Sequence, residues 1–160
     1  MRAIRKGQNG GGRMNNEISQ AMRAVSRDEL HELWLRIKEG EPLEGDEAVF
    51  ARIMREHTEY HKVWERLDEI GGDELVVDGV NPILHISVHC IIENQLEQNT
   101  PSEVRKALDA LLKRGALRHE AIHAIAYEFN MELFPVLKHS RPFNNNAYKR
   151  RLEKIARGSK

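Results

Sequence analysis

Six of the eight histidines in this 160-residue chain stand in pairs four residues apart. They are His57 and His61 in EHTEYHKVW, His85 and His89 in NPILHISVH, and His119 and His123 in RHEAIHAIAYEF. Random placement of eight histidines would give roughly 0.4 pairs at this spacing, which stacks two side chains on one helix face. Neutral imidazole is the commonest metal ligand and suits zinc, iron, copper and nickel. Two imidazoles one turn apart can clasp one ion. Three converging helices would fill an octahedral site, or hold two ions with positions left for water and carboxylate. The expected ligand set is His57, His61, His85, His89, His119 and His123, joined by Glu93, which continues the His85–His89 series by one more turn. Glu59 and Glu120 fall off the histidine stripes and are expected behind the ligands, orienting them. The implied cofactor is a transition-metal ion, zinc, iron or manganese; the pattern names no catalytic residue.

Other chemistries fit less of the pattern. HEAIH at 119–123 matches the HExxH signature of zinc proteases, but any helix with paired histidines and one glutamate satisfies so short a motif. A protease also needs a third ligand and a cleft, usually with an edge strand, and no strand pattern is present. Hydrogen-bonded core histidines in a non-metal interaction module are the main alternative. That reading is favoured for a single pair, and the metal reading for three. There is no nucleophile constellation, phosphate-cradling loop or dinucleotide fingerprint.

The bulk numbers set the class. Apolar residues make up 40% of the chain, charged residues 31% and aromatic residues 6%, and the formal net charge is zero. This composition fits one helical domain over 17–160 and argues against nucleic-acid binding by overall attraction. Residues 149–160 do carry six basic side chains against one acid, which reads as a solvated cationic helix end. The single cysteine, Cys90, cannot form an internal disulfide, so a reducing cytoplasm is expected. No apolar run approaches the ~20 residues of a membrane span. Residues 1–16, with four glycines, read as a disordered leader, and Met14 or Met22 could stand nearer the true start. Partners are not indicated, and a homo-oligomer is left open.

About six helices must position the histidines in an all-α bundle. Ser26 and Glu29 form a capping-box pattern ahead of Leu30, Leu33, Trp34 and Ile37, and Gly40 stops that helix. His31 lies beside its apolar stripe and reads as an exposed or packing residue. A long helix is expected from about Asp46 to Ile70, with His57 and His61 on its buried stripe. GGDELVVDGV, residues 71–80, reads as a loop. Asn81 caps and Pro82 opens a helix to about Glu97 that is apolar nearly all round, and therefore central. Thr100-Pro101-Ser102-Glu103 starts the next, which Gly115 ends. The helix from Ala116 should end or kink at Pro135, and a short last one covers 147–156.

These segments resemble a known family. EHTEYH, NPILHISVH with Gln95 beyond it, and HEAIHAI are similar to the bacterial domain-of-unknown-function family 1841 over roughly residues 27–155. The matching positions are His57, Glu59, Tyr60, His61, Asn81, Pro82, His85, His89, Gln95, His119 and His123. Thr58 stands where the family tends to have proline, and Asn94 where it tends to have glutamate, so Glu93 is the acid near that point. The resemblance implies a cytoplasmic bacterial protein and supplies no activity.

Overall fold

Apolar faces at helical spacing, separated by glycine and proline signals, give seven α-helices and no strand among the described residues. The computed structural model of the protein describes residues 26–71 and 75–158, so the leader expected over 1–16 lies outside them. The chain divides into two compact units, within these residues 26–93 and 94–158.

In the first unit, α1 (Arg27–Glu39) opens with the anticipated capping box: Glu29 N–H donates to Ser26 Oγ at 3.2 Å, and Ser26 N–H to the Glu29 carboxylate at 3.1 Å. Gly40, at φ 73°, closes the helix in the left-handed conformation. Leu30, Leu33, Trp34 and Ile37 are buried against Ile53 and Met54 of α2 (Gly45–Glu56), with Trp64 and Leu67 in the same core. Of its two readings, exposed or packing, His31 has the packing one. Its Nδ1–H donates to the Trp64 carbonyl at 3.0 Å, and its Nε2 lies 3.6 Å from Asp68.

The long helix expected from Asp46 to Ile70 does not form. α2 ends at Glu56, and His57 (φ −95°, ψ 72°) leaves helical space. A 3₁₀ turn follows (Thr58–Tyr60), then the one-turn α3 (His61–Trp64) and turns to Glu69. Two last-turn carbonyls of α2 take ring donors from just past the break. His57 Nδ1–H donates to Ile53 O at 2.8 Å, and His61 Nε2–H to Met54 O at 3.1 Å. Ile53 O also accepts the His57 backbone N–H at 3.2 Å, so the ring uses its second lone pair. The segment around 75–80 is a loop, as read. Val77 and Val80 exchange backbone hydrogen bonds at 2.9 Å around Asp78 and Gly79, both at positive φ, which is the Asp-Gly tight turn. Buried Leu75 plugs the core beside it.

α4 (Pro82–Gln98) begins in the first unit and ends in the second. Asn81 Oδ1 accepts from the backbone N–H groups of Ile83 (3.0 Å) and Leu84 (3.2 Å), so the cap and the proline stand where the sequence placed them. Ile86, Val88, Ile91, Ile92 and Leu96 are buried around it, as an all-round apolar helix requires.

In the second unit, α5 (Ser102–Lys113) and α6 (Arg118–His139) pack with α7 (Asn145–Arg157) around Leu108, Ile125, Phe129, Phe143, Tyr148 and Leu152. Pro101 sits at the N-cap of α5, within the Thr100–Glu103 segment expected to start it. Pro135 does not end α6, which runs four residues further to a left-handed Ser140. One backbone bond lost near a helix end is small against the burial of Phe129 and Leu133 just before it. The cationic end of α7 is partly neutralised. Arg151 pairs with Glu132 (3.1 Å) and Glu128 (3.4 Å) of α6, and Arg157 with Glu153.

Burial holds two acids neutral. The Cys90 thiol is pushed up chiefly by desolvation, with nearby Arg52 opposing and Asp46 and Glu93 adding, and the Tyr148 phenol is pushed up by desolvation alone. Both have folded pKa values above their unfolded ones, so the unfolded chain loses these protons first. Their contribution is intact below the unfolded values of 9.0 and 10.0 and is lost as pH rises beyond them. Stability should therefore fall from about pH 9 upward in urea titrations. Cys90→Ala should flatten the first part of that slope, and Tyr148→Phe the part above pH 10. An alkaline slope unchanged in both variants would contradict this origin.

Candidate metal centre

The break at His57 and the cap at Asn81 bring three histidines together in the first unit. His85 and His89 project from one face of α4, and the ring of His57 meets both, with centroids 4.7 Å away in each case and near-perpendicular planes. The His85 and His89 centroids are 4.8 Å apart. One donor nitrogen from each ring lies within 4.8 Å of the others. His57 and His89 are 0% and 2% exposed, and His85 is half-buried.

The hydrogen bonding of His57 sets its tautomer. With Nδ1–H committed to Ile53 O, the lone pair is on Nε2, which lies 2.9 Å from His85 Nε2. Two nitrogens on one ion at about 2.0–2.1 Å would stand about 2.9 Å apart at a right angle and about 3.3 Å apart at the tetrahedral angle. The observed separation matches cis ligation, and it also suits an N–H···N hydrogen bond. A backbone carbonyl holding the far nitrogen of a ligand histidine is the usual outer support of a metal site.

His61, Glu93, Glu59 and Glu120 are placed differently. His61 does not share a helix face with His57, because α2 ends at Glu56 and a 3₁₀ turn separates the two. It packs on Trp34, with centroids 4.7 Å apart, while bonded to Met54 O. The Glu93 carboxylate pairs with Arg52 at 3.2 Å. Glu59 is exposed on the 3₁₀ turn. Glu120 accepts the Leu117 N–H at 3.1 Å, serving the start of α6, and this gives a protease reading of HEAIH no support. His119 and His123 stand one turn apart near that start, half-buried, with ring centroids 4.3 Å apart.

Tyr60 carries no expected site role in the sequence, yet it walls the cluster. It is buried, its ring is parallel to that of His57 at 5.8 Å, and it meets His85 edge-on at 5.6 Å. Burial raises its phenol above the ordinary range, with Glu59 and Asp78 adding to the effect. Its position inside EHTEYH, two residues past Thr58, was the available signal.

These features define a small all-helical protein with a buried histidine cluster able to hold a metal ion. The chain belongs to the family described as domain of unknown function (DUF1841), whose model matches residues 22–154. No curated protein and no solved structure matches it. Among the described residues no helix is long and apolar enough to cross a membrane.

Proposed function

We propose that this protein binds a divalent transition-metal ion through the imidazoles of His57, His85 and His89. The observation that carries the reading is the 2.9 Å approach of the His57 and His85 Nε2 atoms, with His57 Nδ1 fixed on Ile53 O. Nitrogen donors without thiolate favour zinc or ferrous iron over the oxygen-preferring manganese. Cys90, buried and held neutral, stays out of the set, and Glu93 is left to Arg52. The sequence pattern of three pairs assigns His119 and His123 to the same ion. With His57, His85 and His89 alone, coordination positions stay open, the arrangement that separates catalytic from structural zinc sites, whereas His119 and His123 as ligands would fill them.

Elemental analysis of untagged protein tests the reading against a His85→Ala/His89→Ala variant prepared identically. About one equivalent of metal in the wild type, absent from the variant, is expected. A His119→Ala/His123→Ala variant tests the extended set by the same measurement. A folded wild type that arrives empty and refuses added zinc and ferrous iron would overturn the proposal. The cluster would then be a hydrogen-bonded core, with His85 Nε2–H donating to His57.

A further inference from the structure

The side of α6 that faces away from its unit's core has a pattern of its own. Tyr127, Met131 and Phe134 are 65%, 41% and 53% exposed, although large apolar side chains gain most from burial. Extended in both directions at the same alternation of four and three residues, the stripe reads Glu120, Ala124, Tyr127, Met131, Phe134, Lys138. Spacing of 4-3-4-3-4 is the seam of a coiled coil, and on α6 it occupies an arc of about 80°. Glu120 and Lys138 are exposed and Ala124 is half-buried.

The seam is complementary to its own reverse. A second copy of α6 laid antiparallel and centred on residue 129 pairs Glu120 with Lys138, small Ala124 with large Phe134, and Tyr127 with Met131. Each pair then occurs twice, as a two-fold axis requires. Acid meets base at both ends, each aromatic ring meets an alanine or a methionine, and no like charges face each other. The two inner pairs would be buried over about 15 Å of a seam about 27 Å long.

We propose that this face of α6 is a homodimer interface in which two copies pack antiparallel about residue 129. The protein should sediment at about twice its 18.5 kDa chain mass at micromolar concentration. Met131→Glu and Phe134→Glu, both at exposed positions, should each weaken the dimer by about tenfold or more while circular dichroism stays unchanged. Lys138→Glu should weaken it too, and adding Glu120→Lys should restore it, because the swap rebuilds both end pairs. In a Tyr127→Cys/Met131→Cys variant, mild oxidation should link Cys at 127 of one copy to Cys at 131 of the other, read by peptide mass spectrometry. A wild type that is monomeric at every concentration would overturn the proposal and leave the seam to a different protein. So would a dimer indifferent to Met131→Glu and Phe134→Glu, or one that crosslinks 127 to 127.

Discussion

If the histidine cluster holds the proposed ion, a chelator should lower the midpoint of thermal unfolding by about 10 °C, and added zinc should restore it. An ion present at 100 to 1,000 times its dissociation constant contributes about 2.7–4.1 kcal/mol to the folded state. The unfolded chain scatters residues 57, 85 and 89 and keeps little affinity, so nearly all of that linkage belongs to the fold. Two single variants make the result specific to the geometry. His57→Asn keeps an N–H donor near the position of Nδ1, able to reach Ile53 O, but has no atom where Nε2 approaches His85. It should lose the chelator response. His61→Ala removes the contacts to Met54 O and Trp34 and should lower stability directly while leaving that response intact. If His61→Ala abolishes the response and His57→Asn does not, the ligand assignment is wrong.

That contrast marks where the sequence stopped being a sufficient guide. Asn81, Pro82, His85 and His89 were legible because a cap, a first-turn proline and an i,i+4 pair act within one turn of helix. The break at His57 is also local, but no glycine or proline announces it here. Thr58 stands where the family tends to have proline, a residue that drives the one before it out of the helical region, and His57 has left that region. Reading the family's proline as a helix stop would have separated His57 from His61. The pairing of Glu93 with Arg52, the wall made by Tyr60 and the capping duty of Glu120 depend on tertiary contacts or on a helix boundary, and residue spacing encodes neither. Pro135 misleads in the opposite direction, because packing on either side of it carries the helix through.

The largest loss of stability should come from Trp64→Ala, at about 3–5 kcal/mol in urea unfolding. Trp64 is fully buried in the first unit's core and meets Tyr60 edge-on at 5.9 Å. Its carbonyl also receives His31, so the residue ties α1 to the segment that carries the histidine break. Truncation removes the indole and leaves a cavity beside Tyr60, the ring that lies parallel to His57. Trp64→Phe should cost clearly less than the lost volume alone would suggest. Among the described residues the indole Nε1–H has no hydrogen-bond partner, and a buried donor left in that state costs about 1–3 kcal/mol, which phenylalanine relieves. Metal retention should follow the same order, falling with Trp64→Ala and persisting with Trp64→Phe, because only alanine frees Tyr60 to move off His57. Trp34 remains in both variants as a fluorescent reporter of the first unit. Equal losses for alanine and phenylalanine would show that the indole edge has a partner. Full metal retention in a stably folded Trp64→Ala would show that Tyr60 does not hold the site.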